Sequence, residues 1–370
     1  MAVSLFTPLE LGGITLPNRI VISPMCQYSA DDGCLSDWHM VHLGHLSYSG
    51  AGLMILEATH VTREGRITHQ CAGLYNEHSE AAMKRVIDAC RRLSRNPIGV
   101  QLGHAGRKAS SQVPWEGREW LREDQSPWRT VAPSALAYGE GWHTPHELSI
   151  GEIRVLIDAF AASTERAKRI GFDLVELHSA HGYLLHQFWS PLSNRRTDAY
   201  GKDRLKFPLE VARAMREVWP LERALGARIS ANDWMPGGLG PDDAVTYARE
   251  LERIGFDYVC PSSGALVPQA RIPIAPGYQV PFAEKVKKAT GIKVQAVGMI
   301  AEPRQAQEIL ASGRADMVVM ARAFLDNPRW PWHAAEQLGV ELAYPPQYAR
   351  SRHDLWPGAK LARGGSWSGD

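Results

Sequence analysis

Short runs of uninterrupted apolar residues alternate along this chain with longer stretches in which apolar positions return every three or four residues. The runs fall at 19–23, 53–56, 98–102, 227–230, 293–297 and 317–320, with two more directly after Asp173 and Asp257. Apolarity on both sides of a strand suits a parallel sheet covered on both faces. The second pattern predicts helices with one buried stripe. It is carried by Ile153, Leu156, Ile157 and Phe160; by Val211, Ala214, Met215 and Val218; by Ala244, Tyr247, Ala248 and Leu251; and by Ala306, Ile309, Leu310 and Gly313. A capping box, Ser149 to Glu152, opens the first of these helices.

The pentad Arg-Ile-Gly-Phe-Asp occurs at 169–173 and again at 253–257, each time between a helical stripe and an apolar run. It reads as helix end, glycine turn, buried strand. Looser forms, Gly50-Ala51-Gly52 and Gly313-Arg314-Ala315-Asp316, precede two other runs. Eight strand-helix units predict a (β/α)8 TIM barrel, with a doubly wound sheet as the alternative. One connection, 103–148 between strands 3 and 4, is too long for a simple unit. It holds Trp115, Trp120, Trp128 and Trp142 with four prolines, so this Trp/Pro-rich insertion is expected to form a lid or subdomain. Residues 1–355 are expected to be a single domain and the Gly- and Ser-rich 356–370 a flexible tail.

Composition narrows the partners. With 41 Lys and Arg against 40 Asp and Glu, the chain lacks the broad positive field of a nucleic-acid or acidic-membrane binder. Its five cysteines are odd in number and scattered, without C-x-x-C, which indicates neither a disulfide framework nor a thiolate zinc site. Residues 1–20 carry no secretory pattern and no run is long enough to span a membrane, so a soluble cytoplasmic protein is expected.

Barrel enzymes gather their chemistry where the strands end. After the first run stand Pro24, Met25, Cys26, Gln27 and Tyr28; after the second, Ala58 and Thr59; at the third, Gln101, His104, Arg107 and Lys108; after the fourth, His178, His181 and Tyr183. His178 and His181 alone would also suit a metal-dependent barrel hydrolase, but the neighbouring ends offer amide, thiol and guanidinium groups in place of carboxylates. Two imidazoles and a phenol suit polarisation of a carbonyl oxygen with a proton donor nearby, the chemistry of activated alkenes. A hydride source is then needed, and the chain has no convincing dinucleotide fingerprint. A tightly held flavin would supply it, with Gly298 and Arg322, after the seventh and eighth runs, placed to hold a phosphate.

The motifs Ser23-Pro24-Met25-Cys26-Gln27-Tyr28, Gln101-Leu102-Gly103-His104-Ala105-Gly106-Arg107-Lys108, His178-Ser179-Ala180-His181-Gly182-Tyr183 and Arg196-Thr197-Asp198-Ala199-Tyr200-Gly201 occur in order. With them the chain resembles the Old Yellow Enzyme family of FMN-dependent ene-reductases, in its bacterial thermophilic-like, xenobiotic-reductase branch. The resemblance implies non-covalent FMN, NADPH as hydride donor, and ping-pong reduction of enones, enals or maleimides, with quinones and nitro compounds also compatible. It implies that His178 and His181 bind the substrate carbonyl and that hydride passes from flavin N5 to the β-carbon. Tyr183 would then protonate the α-carbon.

By the same resemblance Cys26 tunes the flavin and Tyr28 holds the ligand. Ser23, Pro24, Met25, Ala58, Gln101 and Arg228 would surround the ring. Ser263, Gly264, Gly298 and Arg322 would lie on the phosphate side, and Lys108 near the substrate. Arg350 matches an arginine that enters the neighbouring active site of a homodimer or homotetramer. The chain departs from the family at Lys202-Asp203-Arg204-Leu205-Lys206-Phe207, where a longer segment is usual, and at Ala321, where glycine is usual.

Overall fold

A computed structural model describes residues 4–363. Eight parallel strands close into a barrel in chain order: β1 (Ile20–Ile22), β2 (Leu53–His60), β3 (Ile98–Gly103), β4 (Leu174–Ser179), β5 (Ala224–Ser230), β6 (Tyr258–Ser262), β7 (Lys293–Ala296) and β8 (Met317–Met320). Pairing of β8 with β1 completes the ring. The main outer helices are α1 (Asp37–Ser47), α2 (Glu77–Leu93), α3 (Ile150–Ile170), α4 (Lys206–Val218), α5 (Pro241–Ile254), α6 (Val280–Ala289), α7 (Pro303–Ala311) and α8 (Trp330–Gln337). This is the (β/α)8 barrel that the alternating patterns predict.

Both pentads form the same joint. Gly171 and Gly255, directly after α3 and α5, take left-handed φ values of +95° and +94°, which glycine adopts without steric cost. The aspartates then reach sideways. Asp173 accepts the Ile98 N–H of β3 at 2.8 Å, and Asp257 accepts the Leu225 N–H of β5 at 2.8 Å. Asp316, from the looser form, accepts the Val294 N–H of β7 at 2.9 Å. Each carboxylate therefore ties the start of one strand to the start of the preceding one.

An N-terminal hairpin, Leu9–Leu11 with Ile14–Leu16, covers this end. Leu9, Leu11 and Leu16 pack in one cluster with Val21, Leu53, Ile55, Leu174, Met317 and Val319 from inside the barrel. At the hairpin turn a Cβ on Gly12 would lie 2.8 Å from the Asp257 carboxyl, so only glycine fits there.

Several boundaries differ from expectation. The second strand does not stop at Leu56 but continues through Glu57, Thr59 and His60, all buried, so Ala58 lies within it. These polar residues hid the strand because their partners come from elsewhere in the fold. β5 starts at Ala224, earlier than expected, because Gly226 leaves room for the Tyr258 ring: a Cβ there would be 1.9 Å away. α7 ends at Ala311, so Gly313 is a left-handed turn residue at φ +72° and not part of its stripe.

The insertion folds as three short 3-10 turns and a two-stranded ribbon, Val131–Ala132 with His146–Glu147. The capping box at Ser149 and Glu152 then opens α3. The tail is described as far as Arg363, with a short helix at Ala359–Ala362 and an Arg363–Glu336 ion pair at 2.9 Å; its remainder lies outside the described residues. Among the described residues no helix is long and apolar enough to cross a membrane.

Candidate active site

The end of the barrel away from the hairpin carries the polar side chains. At its centre Gln101 Nε2 donates to Glu176 Oε1 at 2.7 Å, and the Tyr258 hydroxyl donates to Glu176 Oε2 at 2.7 Å. Burial raises the Glu176 carboxyl pKa against the opposing influence of Arg228, Tyr258 and Gln101. Above this layer Arg228 spans the opening, donating to Ser23 Oγ at 3.0 Å and Ser262 Oγ at 3.3 Å. Among the described residues its guanidinium has no ion-pair partner, so a half-buried cation faces the open end.

The segment after β4 is shaped by two successive left-handed residues, His181 at φ +58° and Gly182 at φ +74°. A Cβ on Gly182 would meet Ala265 O at 2.2 Å. His181 N–H donates to Ser230 Oγ at 3.1 Å, and its Nε2 shares a 2.7 Å hydrogen bond with Ser262 Oγ. Gly182 N–H donates to His186 Nδ1 at 2.9 Å, while His186 Nε2 donates to the buried Asp233 at 2.8 Å. Lys108 Nζ donates to the carbonyls of His181 at 2.8 Å and Ala265 at 2.9 Å.

These bonds bring His178, His181 and Tyr183 together, with ring centres 5.2 Å apart for the imidazoles and 5.0 Å for His178 and Tyr183. Burial, reinforced by Arg228, lowers both histidine pKa values well below the ordinary value, so both are neutral donors near pH 7. Burial raises the Tyr183 phenol, which stays protonated. Lys108 Nζ lies 4.9 Å from the Tyr183 ring centre, and burial with Arg107 and Arg118 lowers its own pKa to about 7.

Ser23, Pro24, Met25, Cys26 and Tyr28 occupy the loop between β1 and α1, and Ala58 and Gln101 stand on β2 and β3. The Cys26 thiol pKa is raised by burial and then by Glu57 and Cys71, which makes it a thiol and not a thiolate. Gly298, after β7, has φ +114°, and a Cβ there would lie 2.9 Å from Gln279 Nε2. Gln279 Oε1 in turn accepts from Ser263 Oγ at 2.7 Å, which joins the ends of β6 and β7 beside Gly264. Arg322 is exposed at the start of the short helix Arg322–Asp326 after β8. Arg350 is exposed in the 3-10 segment Pro346–Ser351. The structure thus gathers every expected site residue at strand ends except Arg350, which sits on the C-terminal segment.

These groups fit a flavin nucleotide. His178 Nδ1 is buried without a partner, an unmet hydrogen-bonding group of the kind a ligand satisfies. Arg228 suits an anionic ring, and Gly298 leaves its backbone open to close approach. Sequence reasoning missed Glu57, His39, His186, Asp233, Glu176 and Ser262, which support the site from behind. It also could not show that Trp115, from the insertion, packs edge-on against Tyr28 at 5.9 Å.

Among known proteins, the model of the NADH:flavin oxidoreductase / NADH oxidase family matches residues 4–341. The NADPH dehydrogenase of Geobacillus thermodenitrificans is 44% identical over 351 residues, covering 94% of this chain and 98% of the relative. That of Listeria monocytogenes serotype 4a is 40% identical over 352 residues, covering 94% and 98%. Morphinone reductase in complex with tetrahydroNAD superposes with a TM-score of 0.74 at 31% identity, covering 93% of each chain. A 2-naphthoyl-CoA reductase, at 22% identity and TM-score 0.81, covers 92% of this chain and 53% of its own, and shares the fold. A match across the whole barrel and relatives at this identity place the family beyond the fold alone: the chain belongs to the NADH:flavin oxidoreductase / NADH oxidase family, the Old Yellow Enzyme family, and is an oxidoreductase.

Proposed function

We propose that this oxidoreductase is an ene-reductase, with FMN as its flavin and NADPH as its hydride donor, that reduces the activated C=C bond of α,β-unsaturated carbonyl compounds. The observation that carries this reading is the cluster of two neutral imidazoles and a protonated phenol around one opening. FMN, held by Gln101, Arg228 and the residues of the 23–26 loop, would supply hydride-transfer chemistry between NADPH and the activated alkene.

The chain's own residues do the rest. His178 and His181 hold the substrate carbonyl oxygen and stabilise the charge that grows on it, and one well-placed donor of this kind is worth about 2.7–4 kcal/mol. Tyr183 gives its phenolic proton to the α-carbon. Gln101 and Arg228, with Ser23, Pro24, Met25 and Ala58, hold the ring; Ser263, Gly264, Gly298 and Arg322 hold the phosphate end. Cys26 adjusts the flavin as a neutral thiol, and Tyr28 holds the ligand beside Trp115. Lys108 acts less on substrate than on the His181 loop, whose carbonyl it binds. Arg350 belongs to the active site of a second copy in a homodimer or homotetramer.

The histidine variant tests this. His178→Ala/His181→Ala should keep the flavin absorbance and NADPH-driven bleaching yet lose cyclohexenone reduction by at least about a hundredfold. Turnover equal to that of the unaltered protein would overturn the assigned roles, and a colourless protein unable to take up FMN would overturn the flavin reading.

A further inference from the structure

Where β2 passes its fourth residue, the ladder with β3 slips. Leu56 faces Val100 and Ala58 faces Gln101, so Glu57 is an extra residue, a β-bulge. A bulge turns its extra side chain away from the regular alternation, and such features concentrate beside active sites. Here it sends Glu57 beneath the loop between β1 and α1, where it is 5% exposed.

Glu57 Oε2 accepts the Gln27 N–H at 3.1 Å. From Met25 to Ser29 this is the only main-chain N–H that donates to another residue among the described residues; the Cys26 N–H faces its own thiol. The other oxygen, Oε1, lies 3.2 Å from Nε2 of the fully buried His39 on α1. His39 Nδ1 accepts the Ser36 N–H at 3.0 Å, so Nε2 is the ring N–H; it lies close to Glu57 but makes no hydrogen bond to it. Ser36, His39, Glu57 and Gln27 thus stand side by side from the start of α1 to the residue between Cys26 and Tyr28, with a packing contact between His39 and Glu57.

We propose that Glu57, packed against His39, is a positioning residue that tethers the Cys26–Gln27–Tyr28 loop from beneath and sets its carboxyl group under the Cys26 thiol. Its functional meaning rests on the reading of this loop as part of the flavin site. A carboxylate under the thiol opposes formation of a thiolate, which would otherwise add a second negative charge next to the bound reduced flavin. The other groups facing Cys26 are Cys71, Tyr28, Tyr183 and the main-chain N–H groups of Ala58 and of Cys26 itself, the last two acting in the opposite direction. His42, on α1, borders the same small cavity as Glu57 and is kept neutral by burial. Among these groups of the described residues, Glu57 is the one that carries a carboxyl.

The test is the pH profile of Cys26 alkylation by iodoacetamide, in a Cys34→Ser background that removes the other half-buried thiol. Glu57→Gln keeps an oxygen for the Gln27 N–H but removes the charge. It should move the profile to lower pH and raise the rate at pH 8 by about threefold or more. An unmoved profile in a variant with native circular dichroism would overturn the proposal. Should Glu57→Gln fail to fold, amide exchange in the unaltered chain decides: Gln27 should exchange at least about tenfold more slowly than Tyr28 and Ser29, and equal rates would overturn the tether. Neither readout needs bound FMN, so failure to bind flavin would count against the function and not against Glu57.

Discussion

The two ends of the barrel are built on opposite plans. At the hairpin end one device recurs: Asp173, Asp257 and Asp316 each accept the first amides of a neighbouring strand, around a shared apolar cluster. At the other end nothing repeats. Each strand end carries a different group, and the bonds among Lys108, His181, Gly182, His186 and Asp233 occur once. Repetition serves closure of the ring, whereas catalysis requires each strand end to differ.

This division makes stability and turnover separable. The largest effect is expected from Asp257→Ala, which strands the Leu225 N–H in the closed end and should cost about 1–3 kcal/mol in urea unfolding. Turnover per bound flavin should not change, and a parallel loss of both would break the division between the ends.

Next comes a pH effect at the open end. The folded-state pKa of Lys108 is lowered to about 7. Below that value the amine is charged in folded and unfolded chains alike. As pH rises from about 7 towards the ordinary lysine value, the folded chain gives up the proton while the unfolded chain keeps it, so stability rises, by at most about 1.4 kcal/mol per pH unit. Unfolding measured at pH 7.5 and 9.5 should show this rise, and Lys108→Met should remove it. The smallest effect should come from Arg253→Ala in the pentad itself. Its ion pair with Glu250 is exposed and is worth about 0–1 kcal/mol, which would show that the pentad's aspartate matters and its arginine does not.

The same division explains what could be read in the sequence. Gly171 with Asp173 and Gly255 with Asp257 are local signals, because glycine, helix end and strand start are adjacent in the chain, and they marked the barrel correctly. The motif residues of the open end were recognisable as types, and the structure brings His178, His181 and Tyr183 together. Glu57 was not recognisable. Its partners, Gln27 and His39, lie 30 and 18 positions away, and a polar residue at the end of an apolar run looks like the end of a strand. His186 and Asp233 were hidden for the same reason: each has an ordinary local setting and acquires its meaning only when β4 and β5 are neighbours.

The N-terminal hairpin has a kinetic consequence. Behind the hairpin the barrel interior is packed with side chains and offers no channel among the described residues, so whatever reaches the site must enter and leave across the open end. Under the proposed ene-reductase reading, oxidised nicotinamide would have to clear that end before the alkene could take its place. That reading predicts parallel double-reciprocal plots at low concentrations of both reactants, and slopes that rise as either fixed reactant becomes high enough to compete for the shared site.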